Sequence, residues 1–350
     1  MGIVSLPMRG NLGIRALFMA VLLLLTMGPP VSAAPSPAGG DPLPSWREGP
    51  VKRRLLAFVA AVSTQGSRDY VPAAERLAVF DNDGTLWGEQ PMYVQLAFAL
   101  DRARTLVAQR PELAANPVVA AAAAGDVKAV MAQGTQGLLE LVALTHGGMS
   151  TETFARIVRD WFRSACHPGL HRPYSSLTFA PMGELLELLR SRGFLTVIVS
   201  GGGSDFLRVV TEELYGVPPE QVIGSTVRTT YAVEGSVPVL LRHPEVAFID
   251  DGAGKPVGIH TALGRRPIAA FGNSDGDFEM LEWTTAGPGA RLGLILHHDD
   301  AEREFAYDRN SPFGRLDRAL AAAPQRGWTV VSMRNDWERV YRLSASPCSP

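Results

Sequence analysis

The chain has 350 residues, 46% of them hydrophobic and 19% charged, with a formal net charge of −2. That balance describes a globular protein with apolar material for one large domain plus a smaller one. It excludes a strongly basic, nucleic-acid-binding surface and an acidic tail, and leaves a small molecule as the expected partner.

At the amino terminus, Arg9 and Arg15 precede the apolar run Ala16 to Leu25, and Val31-Ser32-Ala33 supplies the small residues a signal peptidase needs. Residues 1–34 therefore read as a signal peptide cut after Ala33 or Ala34, and the mature protein as periplasmic or secreted. The run is shorter than the ~20 residues of a membrane span, so an uncleaved membrane anchor is the alternative. The Pro/Gly-rich stretch 35–50 reads as a poorly ordered linker. The two cysteines, Cys166 and Cys348, are compatible with a disulfide in an oxidising compartment and equally with two separate thiols.

Leu77-Ala78-Val79-Phe80 reads as a buried strand, and Asp81-Asn82-Asp83-Gly84-Thr85 closes it. In an extended chain residues 81 and 83 point to the same side. Gly84 allows a sharp turn there and Thr85 offers a hydroxyl to hold it. A carboxylate can attack phosphorus, and a second acid beside it can protonate the leaving oxygen. Taken alone, the same five residues are also ordinary turn formers.

For the next ninety residues or so the spacing is helical. Met92 to Val107, Ala120 to Ala124 and Gly137 to Thr145 read as helices, with a stop at Gly147-Gly148. Ser150 caps a further helix whose Phe154, Ile157, Val158, Trp161, Phe162 and Ala165 form one apolar face, with Trp161 and Phe162 expected in a core. Strands and helices then alternate. Gly183 to Arg190 and Asp205 to Tyr215 read as helices around the buried strand Leu195 to Val199. Val222 to Tyr231 and Val239 to Leu241 read as a hairpin turning near Gly235, with Pro238 at an edge. Lys255 to Leu263 and Phe278 to Trp283 read as helices, Ile268 to Phe271 and Leu292 to His297 as strands. Parallel strands joined by helices predict a doubly wound sheet with its site at the carboxyl ends of the strands.

The pentapeptide from Asp81 resembles the first signature of the haloacid dehalogenase-like hydrolase superfamily. Val197-Ile198-Val199-Ser200-Gly201-Gly202, Lys255 in Gly254-Lys255-Pro256, and Gly272-Asn273-Ser274-Asp275-Gly276-Asp277 resemble its second, third and fourth signatures, in the right order over roughly residues 76–300. The resemblance implies a Rossmann-like core with a helical cap inserted after the first strand, as in the phosphoserine-phosphatase-like branch. Core residues would be 51–90 and 179–345, and the cap 91–178.

It also implies roles. Asp81 would be the nucleophile and Asp83 the general acid and base, whose presence argues for a phosphate ester as substrate. Ser200 and the Gly201 amide would hold phosphate oxygens, and Lys255 would neutralise charge. Mg2+ would be held by Asp81, the Asp83 backbone carbonyl, Asn273 and Asp277. Asn273 departs from the commonest pattern, since many relatives place an Asp there, and Asp275 is a possible substitute ligand. Glu89 and Gln90 stand where such phosphatases carry a substrate-reading Glu, in a register the sequence leaves open. His297-His298-Asp299-Asp300 reads as an exposed polar turn, with a second metal or a substrate contact as the alternative, and His167 and His171 as loop residues at the cap hinge. The expected function is an exported, Mg-dependent phosphomonoesterase for a small phosphorylated metabolite. A phosphotransferase or phosphomutase, or a catalytically weak phosphate-ligand-binding protein, is the alternative.

Overall fold

A computed structural model describes residues 40–342 and Cys348. The signal-peptide reading of residues 1–34, and the start and end of the expected linker and core, lie outside the described residues.

Helix α1 (Pro50–Ser63) opens on a proline whose missing N–H costs nothing at a first turn. Strand β1 (Leu77–Phe80) is buried along its whole length. Five further helices follow with one short strand among them. They are α2 (Val94–Gln109), α3 (Pro117–Ala124), α4 (Val127–Ala132), α5 (Gly134–His146) and, after β2 (Met149–Ser150), α6 (Thr151–Ser164). Polar residues set their starts. The Asn116 side chain accepts from the Val118 and Val119 amides at α3, and Ser150 Oγ accepts from Thr153 N at α6. The sheet then resumes: α7 (Ala180–Ser191), β3 (Leu195–Gly203), α8 (Ser204–Leu207), α9 (Thr211–Tyr215), β4 (Val222–Glu234) and β5 (Val237–Phe248). After these come α10 (Gly254–Leu263), β6 (Ala269–Gly272), α11 (Phe278–Thr285), β7 (Leu292–Asp299), β8 (Ala306–Tyr307), α12 (Arg318–Arg326), β9 (Thr329–Ser332) and α13 (Met333–Asp336). The single helix expected over 205–215 is therefore two short ones.

The parallel strands run in the order β4-β3-β1-β6-β7-β9. Alternate residues of β1 serve opposite faces, Leu77 and Val79 packing with Val197 and Ile295, Ala78 and Phe80 with Ile198 and Phe271. Both faces are thus buried, as a parallel sheet between helix layers requires. From β1 the chain proceeds to β3 and β4 on one side, then crosses to β6 and β7 on the other. That reversal opens a crevice at the carboxyl ends of β1 and β6.

The sequence reading is corrected in three places. Residues 41–50 are not a loose linker. Leu43 and Trp46 are buried in the main core, Trp46 Nε1 donates to Pro181 O at 2.9 Å, and Ser45 Oγ donates to Glu184 Oε1 at 2.6 Å. The composition of this stretch is linker-like, but its two large apolar residues find a groove beside α7. Next, the hairpin does not stay within the core. The 13-residue β4 pairs with β3 only as far as Ser225 and thereafter with β5. Beyond that point β5 carries β2 from the helical insertion, Met149 opposite Arg242 and Ser150 opposite Leu241. Lastly, the tetrapeptide at 297–300 is not an exposed turn, because His298 and Asp300 are each 2% exposed. Trp161 and Phe162 do join the core, Phe162 stacking on Trp87. Cys166 and Cys348 form a disulfide that ties the loop after α6 to the carboxyl-terminal segment.

Trp46→Ala should therefore cost about 3–5 kcal/mol of stability, as for other large core aromatics. Urea denaturation measures it, and a change below about 0.5 kcal/mol, the size expected at a surface site, would return the segment to linker status.

Candidate active site

The turn after β1 is built on one carbonyl. Asn82 O accepts from the amides of Thr85, Leu86 and Trp87, and Gly84 N donates to Trp87 O at 2.8 Å. Gly84 has φ +70°, and a Cβ on it would stand 2.1 Å from Asn273 Nδ2 and 2.3 Å from Glu89 Oε1. Only glycine allows both this conformation and this approach. Trp87 Nε1 donates to Asp83 Oδ1 at 2.8 Å and so fixes that carboxyl. Burial pushes the Asp83 carboxyl up to about 6.

Lys255, in the first turn of α10, reaches back under the strand ends. Its Nζ donates to Asp81 Oδ1 at 2.6 Å, Asp277 Oδ1 at 2.5 Å and Val199 O at 3.0 Å. The ammonium is 2% exposed. Burial opposes its charge, but the two carboxylates outweigh that and hold its pKa above the ordinary lysine value. Burial and the neighbouring Asp277 push the Asp81 carboxyl above its usual range, against the pull of Lys255. Two carboxylates share one ammonium, so the cluster is a positive charge short.

At the end of β3, Ser200 is buried and its Oγ accepts from Gly202 N at 3.1 Å, which leaves the hydroxyl proton free to donate elsewhere. Gly203 N donates to Gln95 Oε1 at 2.7 Å, a contact from α2 across to the core. Asp81, Asp83, Glu89, Ser200, Gly201 and Lys255 all line one cavity of about 350 Å3 between the strand ends and the helical insertion.

In the fourth motif the polar side chains are tied into the protein. Asn273 is 1% exposed, with Oδ1 accepting from Thr85 Oγ1 at 3.0 Å and Nδ2 donating to Glu89 Oε1 at 2.6 Å. Both carboxylate oxygens of Asp277 accept hydrogen bonds from the protein. Its Oδ1 is taken by Lys255 and its Oδ2 by the amides of Asn273 and Ser274, both at 3.0 Å. It orients Lys255 and caps the turn. Asp275 turns away from the cavity, Oδ1 accepting from Asp317 N and Ala319 N at the start of α12.

Glu89 rather than Gln90 faces the cavity, which resolves the register the sequence left open; Gln90 Nε2 bonds Ser311 and Phe313. Burial pushes the Glu89 carboxyl up to about 8 although His298 and Tyr307 pull the other way. Tyr307 OH donates to Glu89 Oε1 at 2.7 Å. His298 lies behind them, its Nε2 2.7 Å from Gly84 O and its Nδ1 3.1 Å from Glu304. The histidine thus supports the turn after β1 from below. His167 belongs to its loop, with Nδ1 accepting from the Gly169 and Leu170 amides. Among the described residues no group of three or more His, Cys, Asp or Glu could hold a metal ion. Gln95 and Tyr307 carried no sequence signal, because their partners Gly203 and Glu89 lie 108 and 218 residues away.

A family model described as haloacid dehalogenase-like hydrolase matches residues 78–282. Among solved structures, the fold is similar to a conserved functionally unknown protein from Anaerococcus prevotii, with 16% identity, 71% of this chain and 86% of that one covered, and a TM-score of 0.50. A protein of unknown function from Bordetella pertussis gives 18% identity, 73% and 98% coverage and a TM-score of 0.45. A phosphoserine phosphohydrolase-like protein from Francisella tularensis gives 15%, 71%, 98% and 0.36. No curated protein matches the sequence.

The contact between Asn273 and Glu89 explains why an amide suits this position, since an acid there would meet a second acid at 2.6 Å. Asn273→Asp should destabilise the protein by about 1–3 kcal/mol above pH 8, where Glu89 is ionised. Adding Glu89→Gln, whose amide can donate to the new carboxylate, should recover most of the loss. Chemical denaturation of the single and double variants tests this, and an Asn273→Asp protein as stable as wild type would refute it.

Proposed function

Since the chain belongs to the haloacid dehalogenase-like hydrolase family, we propose that it is a metal-dependent phosphatase cleaving phosphate monoesters through an aspartyl-phosphate. The observation that carries this reading is the pairing of Asp81, held at 2.6 Å by a buried Lys255, with Asp83 opening into the same cavity. One acid is poised as a nucleophile and the other is kept near neutral-pH proton exchange.

The substrate phosphoryl group sits against Ser200, Gly201 and Gly202, with the Ser200 proton donated to one of its oxygens and Lys255 countering its charge. An Asp81 oxygen attacks phosphorus, the bond from phosphorus to the alcohol oxygen breaks, and Asp83 gives its proton to the departing alkoxide. Asp83, now a carboxylate, takes a proton from water as that water attacks phosphorus. The Asp81–phosphorus bond breaks, and inorganic phosphate leaves with both acids restored.

The donor chemistry fits a hard cation. Asp81 Oδ2 and Asn273 Oδ1 converge on Thr85 Oγ1 at 3.3 and 3.0 Å, two acceptors on a hydroxyl with a single proton, and the cluster lacks a positive charge. Asp81 and Asn273, with the Asp83 carbonyl, would hold Mg2+, which keeps several waters and needs only one or two carboxylates. When bound, it would offset repulsion between the phosphate dianion and Asp81. Asp81→Asn should abolish turnover, with an unchanged circular dichroism spectrum, and chelation followed by magnesium should remove and restore wild-type activity. Near wild-type hydrolysis by Asp81→Asn would refute the aspartyl-phosphate route.

We also read the protein as exported. The Cys166–Cys348 disulfide supports this, because such bonds persist in oxidising compartments. Amino-terminal sequencing of the native protein should find Ala34 or Pro35 first, and an intact Met1 in the cytosol would refute export.

A further inference from the structure

The cavity has two unlike halves. Below lie the catalytic acids and the glycines at the end of β3. Above, the walls are apolar: Leu96 and Ala99 from α2, Leu138 and Val142 from α5, with Ile249 after the hairpin and Phe313 from the long loop before α12. Only phosphate oxygens are provided for in the lower half. The upper half is where the alcohol of a monoester must go.

Charge narrows the choice further. Asp83, Glu89 and Asp251 line the cavity. Lys255 is the one cation among its described lining residues, and three protein acceptors already surround it. The nearest space beyond holds Arg242, but that side chain is committed. Its Nε donates to His146 O at 2.9 Å, its guanidinium lies 4.1 Å from the Phe154 ring centroid, and it pairs with Asp205. A second anionic group on the alcohol would find acidic side chains and, among the described lining residues, no free counter-ion. A polyhydroxylated alcohol would lose a hydrogen bond for each hydroxyl laid against the Leu, Val and Phe side chains, with Glu89, Tyr93, Gln95, Asp251 and Ser274 the remaining polar partners in the lining.

Resting on the phosphatase reading above, we infer that the substrates are monoesters of a largely apolar alcohol that carries no second anionic group. The phosphate is read by the core, and the alcohol is selected by apolar surface from the insertion and the hairpin. A free amino acid bearing a phosphate is disfavoured by its carboxylate, and a sugar phosphate by the hydroxyls it would lay against that apolar surface.

The test compares three esters with alkyl leaving groups: benzyl phosphate, phosphoserine and glucose 6-phosphate. For the wild-type protein with magnesium, kcat/KM for benzyl phosphate should exceed that for either of the others by at least about tenfold. Phosphoserine or glucose 6-phosphate turned over as well as benzyl phosphate would overturn the inference while leaving the phosphatase reading intact. Calorimetric binding of the same esters to Asp81→Asn gives the order without turnover. If the wild type hydrolyses none of them, the phosphatase reading fails, and the binding order still decides this one. Leu138→Arg, which adds a cation to the apolar wall, should narrow the gap between benzyl phosphate and phosphoserine at least about threefold; an unchanged ratio would count against the assignment of the alcohol to that wall.

Discussion

The buried ammonium of Lys255 is the interaction on which the rest of the site depends. It bonds the end of β1 through Asp81, the body of β3 through Val199 O and the turn after β6 through Asp277. Three chain segments that are far apart in sequence are therefore registered by one nitrogen. Burying such a charge alone would be very costly, and it is tolerated only because each of its donors has an acceptor. The same arithmetic leaves the cluster with more negative than positive charge. That surplus makes a nearby cation and a protein-bound proton both favourable.

The turn that carries Asp81 and Asp83 is held from two directions. From above, Trp87 fixes Asp83, and from below His298 approaches the Gly84 carbonyl while Glu89 and Tyr307 fill the space beside it. Gly84 and Gly314 both have positive φ and both would put a Cβ into Glu89. Glu89 is thus packed between two backbone segments, and its bond to Asn273 couples that packing to the fourth motif. The amide at 273 is a consequence of this neighbour. With an acid already beside it, a neutral donor satisfies both residues where a second carboxylate would repel.

The insertion and the hairpin act as one roof. β2 pairs with β5, Gly148 N donates to Arg242 O, and Arg242 packs on Phe154, so the arm from the sheet is woven into the helices that follow β1. Gln95 closes the arrangement by bonding the amide of Gly203, next to Gly201 and Gly202. The shape of the cavity's apolar half is consequently set by elements from two separate parts of the chain.

The sequence by itself determined the strand ends carrying Asp81, Asp83 and Ser200, the helix start carrying Lys255, the helical insertion and the Ser150 cap. These are local signals: an apolar run ended by acids, a period of buried positions, a side chain bonding an amide three residues on. Only the tertiary structure decided that Asp277 holds Lys255, that Glu89 meets Asn273 across 184 residues, that His298 is buried beneath the turn, and that Trp46 packs beside α7. Periodicity tells which face of an element is buried, but not what lies against it. The partner of a buried charge or amide is chosen by how the layers pack, and that choice is not encoded near either residue.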